Sequence, residues 1–324
     1  MTINVIGAGT WGITLASLLS KRSDVLVWQR DNSKAKILNQ TKTHPNLNRF
    51  KIPDNVKHTG TIEELDFNNI TVIALPSHSF NSILSKCDLK NGQYLIASKG
   101  FNHDSSLLLS ETLEDLNVDK NNIAVISGPN HAEEIIEGKA SASVIASVNN
   151  EYAKKLQSLL SSNTFRVYTS DDIVGVQIGG AIKNIIAIAS GLCVGLELGD
   201  NTQAALVSRG MNEILNLESV YNLNHKTLYG LSGLGDLIAT CYSPYSRNRQ
   251  LGVLLAQGLK LKDAINQIGM ISEGINACKF LNDITKKHNV EMPICNEIYK
   301  ILFEKSDPSK SLENLMTRDL KDEN

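Results

Sequence analysis

One lysine in this chain stands where a charge is expensive. Residues 174–192, VGVQIGGAIKNIIAIASGL, form a long apolar run carrying Lys183, with the amide Asn184 beside it. An ammonium buried among Gly, Ile and Ala is costly unless it is partnered or titrates easily. Partial burial lowers a lysine pKa, so this amine is suited to giving and taking a proton. The competing reading is an ion pair that only docks two parts of the fold. A second cluster is Ser246-Arg247-Asn248-Arg249. Hydroxyl, guanidinium, amide and open backbone N–H groups at one helix start suit a phosphate monoester. A merely solvated basic turn is the alternative, but cations are disfavoured at helix N-termini unless an anion compensates. Lys99 follows an apolar run in Ser98-Lys99-Gly100, placed either to reach a phosphate or carbonyl or to lie solvated in a loop. Asp236 closes the segment Gly230-Leu231-Ser232-Gly233-Leu234-Gly235, which is too glycine-rich for a helix interior. That segment is expected to bring backbone and the Asp236 carboxylate against another chemical group.

These side chains need elements to hold them. Leu, Ile and Ala dominate residues 174–192, so a helix buried on most faces is expected. On it, Gly179 and Gly180 lie one turn before Lys183 and Ala187 one turn after, predicting a strip kept clear of bulk beside the amine. Ser170-Asp171-Asp172 can cap this helix, and Asp200-Asn201 read as the cap of the next one. Ser243-Pro244-Tyr245 is a turn, after which Ser246 can cap a helix over 247–256. From residue 170 onward helical periodicity prevails.

The N-terminal half reads differently. A short apolar strand, Ile3-Asn4-Val5-Ile6, enters Gly7-Ala8-Gly9-Thr10-Trp11-Gly12 and then the helix-like ITLASLLSKR. This is G-x-G-x-x-G between a strand and a helix, the setting in which it binds a dinucleotide pyrophosphate. Gly7 serves the turn, Gly9 the approach of backbone to the anion, and Gly12 the packing of helix on strand. The second strand, over 25–28, ends Trp28-Gln29-Arg30-Asp31. Gln29 stands where an NAD site usually carries an acid, and Arg30 suits a 2′-phosphate, so NADP(H) is favoured with NAD(H) possible. Asp31 serves equally well as the missing acid or as an N-cap. Further strand runs are expected at 70–75, 94–97, 123–127, 143–146 and 165–168, separated by helical stretches. The fold class is therefore α/β: a Rossmann-like, mostly parallel sheet domain over 1–170, then an all-α domain over 171–324. Loops at strand ends, among them Ser127-Gly128-Pro129-Asn130-His131-Ala132, are where ligands of such sheets lie. His78 and His131 have no metal-like partners at useful spacing, and no metal site is expected.

Composition narrows the class. The 324 residues, 42% hydrophobic and 20% charged, suit a two-domain soluble protein. A net charge of −2 argues against nucleic acid or an anionic membrane as the main partner. The five cysteines show no CxxC pairing and read as reduced core thiols of a cytoplasmic protein. No signal peptide is expected ahead of the first strand. Residues 174–192 just reach membrane-spanning length, but Gln177, Lys183 and Asn184 would be costly in lipid.

Together these stretches resemble the NAD(P)-dependent glycerol-3-phosphate dehydrogenases, bacterial NAD(P)+ type. The carriers are GAGTWG (7–12), ASKGF (97–101), SGPNHAEE (127–134), GGAIKNIIAIASG (179–191), LGDN (198–201), GLGDLIATC (233–241), SRNR (246–249) and MPICNEIY (292–299). The resemblance implies reversible, NAD(P)H-dependent reduction of dihydroxyacetone phosphate to sn-glycerol 3-phosphate, for glycerophospholipid synthesis. It implies that Lys183 is the proton donor and acceptor. Lys99, Gly128, Asn130, Lys183, Asp236, Ser246, Arg247 and Asn248 match the family's substrate contacts. Thr10, Trp11, Arg30, Lys99, Ala132, Arg247, Ile271 and Glu273 match its cofactor contacts. Asn184 and Thr240 fall near the chemistry in eukaryotic relatives. Departures are Val194 for a usual acid, Asn130-His131 for a small hydroxyl residue and an aromatic, and Thr10 for Ser. The implied partner is a small molecule, without nucleic acid or membrane insertion, in a possible homodimer. Rival readings are a reductase of ketopantoate or of a sugar acid phosphate, and a catalytically silent NADPH sensor.

Overall fold

A computed structural model describes residues 2–47, 50–269, 272–320 and 322–323. Eight strands form one sheet: β1 (Thr2–Ile6), β2 (Asp24–Trp28), β3 (Val56–Thr59), β4 (Ile70–Ile73), β5 (Gln93–Ile96), β6 (Ile123–Ser127), β7 (Ser141–Ala146) and β8 (Phe165–Ser170). Their order is β3-β2-β1-β4-β5-β6-β7-β8. All neighbours pair in parallel except β6 with β7. The expected mostly parallel sheet is thus present. The chain reverses direction across the sheet between β1 and β4, the crevice where such folds bind ligands. Strands β1 and β4 bury nearly every residue, as a sheet covered on both faces requires.

Strand β3 was not among the expected strands. Its four residues, Val56-Lys57-His58-Thr59, carry a charge and an imidazole and lack an apolar run. Pairing with β2 at the sheet edge makes it a strand, and that is a tertiary contact.

After Ser170 the described residues form helices. The central helix, Ile173–Gly195, begins where Asp172 accepts a hydrogen bond from the Gly175 N–H at 2.8 Å, as the predicted cap requires. Every residue from 178 to 193 is buried. This helix is long and apolar enough to cross a membrane, yet 89% of its most apolar window is enclosed by the fold. It is a core helix. The expected cap at Asp200-Asn201 is displaced: the next helix is Gly199–Asn216, so Asp200 lies inside its first turn. A tight connection with Glu197 at φ 56° and Gly199 at φ 79° starts the helix ahead of the expected cap. The glycine-rich segment also departs from expectation. Leu231–Gly235 is a π-helical turn that runs directly into the helix Asp236–Tyr242. Gly233 packs so closely on the Leu228 carbonyl that a Cβ there would lie 1.9 Å from its oxygen. Wide turns of this kind recur where a helix must aim a functional side chain.

Candidate active site

Lys183 projects from the central helix into a buried polar cluster. It is 5% exposed and Asp236 2%. The Lys183 ammonium donates to Asp236 Oδ1 and, at 2.8 Å, to Thr240 Oγ1. Thr240 in turn donates to the Asp236 carbonyl oxygen at 2.6 Å, which leaves a lone pair for the lysine. The second carboxylate oxygen, Oδ2, accepts from Lys99 Nζ at 2.7 Å and Ser127 Oγ at 3.3 Å. Lys99 also donates to Asn130 Oδ1 at 3.0 Å and to the Gly128 carbonyl at 3.3 Å. One carboxylate therefore binds two ammonium groups, leaving the cluster a net cation suited to stabilising developing negative charge.

Burial pushes the Lys183 ammonium down to about 7, and Lys99 adds to that, while Asp236 opposes both. For Asp236, burial alone would raise the carboxyl, but Lys183 and then Lys99 outweigh it and hold it below its usual range. The solvated alternative for Lys99 does not hold: its ammonium is committed to three protein oxygens.

The expected open strip beside Lys183 is also corrected. A Cβ on Gly179 would lie 2.8 Å from the Ser232 carbonyl oxygen, and one on Gly180 2.7 Å from Ser127 Oγ. Protein fills that space. These glycines admit the π-turn and the end of β6 rather than a ligand.

Around the cluster stand the other proposed substrate groups. Gly128 has φ 141°, and a Cβ would lie 2.9 Å from the Ser143 Cα, so only glycine fits between the strands there. Asn130 divides its amide between Lys99 and Ser143 Oγ, the latter at 3.4 Å. Ser246 accepts from the Arg249 N–H at 3.3 Å, capping the helix Arg247–Ala256 as predicted. Arg247 is exposed at that helix's first turn. Asn248 is buried instead, donating to Asn184 Oδ1 at 2.9 Å and accepting from the Gly274 N–H at 3.0 Å. Its side chain ties three helices together.

The dinucleotide elements are in order at the end of β1. Gly7 has φ 114°, and a Cβ on it would lie 2.4 Å from the Ala74 oxygen. A Cβ on Gly12 would lie 1.9 Å from the Gly7 oxygen, whereas one on Gly9 would meet nothing within 4 Å. That open ground is where backbone can approach a pyrophosphate. The helix Thr10–Leu19 starts with no side-chain cap and no acid in its first turn, so its N–H groups remain available to an anion. The Trp11 and Gln29 side-chain nitrogens are buried without a partner among the described residues. These features fit a dinucleotide. Arg30 is exposed just past β2, and Asp31 caps the helix Asn32–Thr41 by accepting from the Ser33 N–H at 2.9 Å. Ala132 is the buried first residue of the helix Ala132–Ile136. Glu273 accepts from the backbone N–H and hydroxyl of Ser77, just beyond β4, and burial raises its carboxyl. Ile271 lies outside the described residues.

Ser127 and Ser77 lie in loops that sequence reasoning placed at strand ends but to which it gave no role of their own. Each is a hydroxyl where an apolar strand run gives way at the carboxyl edge of the sheet.

Residues 2–153 match the family model for the NAD-dependent glycerol-3-phosphate dehydrogenase N-terminus, and 172–313 the model for its C-terminus. The chain is 41% identical to a glycerol-3-phosphate dehydrogenase (NAD(P)+) of Fusobacterium nucleatum, covering 98% of this chain and 97% of that one. It is 40% identical to one from Clostridium botulinum, covering 99% and 98%. The crystal structure of glycerol-3-phosphate dehydrogenase from Coxiella burnetii superposes with a TM-score of 0.92 at 32% identity, covering 98% of this chain and 99% of that one. Sheet order, fingerprint turn and lysine cluster thus sit in a chain aligned end to end with these relatives. It belongs to the NAD-dependent glycerol-3-phosphate dehydrogenase family, whose members use NAD or NADP.

Proposed function

We propose that this protein reversibly reduces dihydroxyacetone phosphate to sn-glycerol 3-phosphate, supplying the glycerophospholipid backbone. The observation that carries the reading is the Lys183–Asp236–Lys99 cluster in a chain of this family. A bound nicotinamide supplies the hydride. As charge develops on the carbonyl oxygen, the Lys183 ammonium donates its proton, and in the reverse direction the neutral amine takes one from the alcohol. Asp236 and Thr240 aim the amine. Lys99 adds positive charge beside the reacting oxygen or the phosphate. Arg247, with Ser246 and the N–H groups of its helix, holds the phosphate and so fixes the carbonyl. Gly128, Asn130 and Asn248 complete the substrate wall.

On the cofactor side, Gly7, Gly9, Thr10, Trp11 and Gly12 cradle the pyrophosphate, with Ala132 and Glu273 towards the cleft. Arg30 favours NADP(H). Residues 1–170 act as the dinucleotide domain and 171–324 as the substrate domain, a division supported by the end of the last strand at Ser170. Five unpaired thiols accord with a cytoplasmic enzyme. A homodimer is the assembly to test by light scattering.

The test is NADPH oxidation on adding dihydroxyacetone phosphate; no turnover across several preparations would defeat the reading. The Lys183–Asp236 ion pair also favours a second reading, in which the lysine only docks helices. Lys183→Ala separates the two. Acid–base catalysis predicts a kcat loss of at least about 100-fold with fold and dinucleotide binding intact. Docking predicts lowered stability with substantial turnover.

A further inference from the structure

We propose that Ser127 is a positioning residue for this reaction: its hydroxyl fixes the Asp236 carboxylate so that one oxygen serves Lys183 and the other Lys99. The inference rests on the reading of Lys183 as the acid–base group.

An aspartate carboxylate turns about a soft torsion, so two lysines alone do not define its plane. Asp236 has Lys183 and Thr240 on the side of Oδ1, both from the helical half. On the side of Oδ2 it has Lys99, from a long and flexible side chain, and Ser127 from the rigid end of β6. Ser127 is 3% exposed, and Asp236 is the hydrogen-bond partner of its hydroxyl. A short side chain on a central strand is the stiffest of these donors. Rotation of the carboxylate would trade the Lys183 contact for a second Lys99 contact and turn the amine off its line. The hydroxyl resists this by holding Oδ2 towards the sheet. The fold also reserves room for it. The central helix carries Gly180 where a Cβ would come within 2.7 Å of Ser127 Oγ, so any larger residue would push the hydroxyl away from Asp236.

That contact supplies a test by a pair of variants and their combination. Ser127→Ala should lower kcat about tenfold in both directions with little change in KM, the scale expected for one hydrogen bond to a charged acceptor. The Lys183 limb of the pH–kcat profile should move downward, because a carboxylate free to turn towards Lys99 holds the Lys183 ammonium less tightly. Gly180→Ala should reproduce the kcat loss by displacing the hydroxyl. In the Ser127→Ala background it should add almost nothing, since the space is then vacant.

A Ser127→Ala enzyme within about twofold of wild-type kcat and with an unmoved limb would overturn the assignment. So would a lowered Tm with the limb unmoved, which marks a merely structural hydroxyl. So would a Gly180→Ala loss that is the same with and without the hydroxyl. Should Ser127→Ala not fold, Gly180→Ala alone decides: an unchanged kcat and limb refute the role. Wild-type protein that never turns over dihydroxyacetone phosphate refutes the reaction itself, and with it this role. Active wild type with an indifferent Ser127 refutes only the latter.

Discussion

At Lys183, burial and charge compete over one proton. Desolvation brings the ammonium down to about 7, and the second lysine on Asp236 keeps the carboxylate from restoring it. Carbonyl reduction needs the protonated form. Its kcat should be flat at acid pH and fall as pH rises through about 7, while glycerol 3-phosphate oxidation should rise over the same range. Rate profiles in both directions check this, and a limb near the ordinary lysine value would contradict it. The same shift has a sign in stability. The unfolded lysine keeps its proton to about 10.4, so between the folded and unfolded values the unfolded chain binds more protons. This group therefore makes stability rise with pH across that window. The two lysines also differ in what holds them. Lys99 is tied to Asn130 and the Gly128 carbonyl on the sheet side as well as to Asp236, whereas Lys183 is held by Asp236 and Thr240, both from the helical half.

Some helices here are started by their own side chains and others by side chains from elsewhere. Asp172 caps the central helix locally. The helix Pro293–Phe303 has no acid in its first turn, and Glu213, from the helix Gly199–Asn216, reaches across to accept from the Ile294 and Cys295 N–H groups. Burial pushes Glu213 up to about 7 against those bonds. Glu213→Gln should cost about 1–3 kcal/mol at acid pH, since one buried N–H loses its acceptor. Denaturant unfolding measures it. A carboxyl raised in the folded state contributes stability that is full below its unfolded value and is lost as pH rises through about 7. The glutamine variant should lack that fall. Parallel stability–pH curves for the two proteins would sink this account.

Across the whole molecule, the sheet supplies an anion-ready helix N-terminus and the helical half supplies the amine. Glu273 bridges them, its carboxylate bound to the Ser77 backbone and hydroxyl beyond β4. Dinucleotide at about 100 times its Kd should add about 2.7 kcal/mol to stability, visible as a raised Tm. If Arg30 reads a 2′-phosphate, Arg30→Ala should weaken NADPH binding about tenfold or more and leave NADH nearly unchanged. Titration of intrinsic tryptophan fluorescence with each cofactor decides, and equal losses would remove Arg30 from that role.

Short-range features were legible in the residues themselves. The glycine fingerprint, the alternation of apolar strands with helices, the caps at Asp172 and Ser246 and the oddity of Lys183 all depend on neighbours within a turn or a strand. Such preferences act through local sterics and backbone hydrogen bonds, so the sequence alone determines them. Tertiary structure decided what faces Lys183. Asp236 lies 53 residues away along the chain from Lys183, and 137 from Lys99. Only the sheet order and the docking of the π-turn on Gly179 bring them together. The strip of small residues suggested ground clear of bulk beside the amine, and the fold filled it with backbone and the Ser127 hydroxyl. Edge strand β3 and the Glu213 cap were equally invisible, because each exists through a partner remote in sequence. A residue's type sets what chemistry it can do; the long-range packing free energy sets which groups meet it, and no local pattern encodes that.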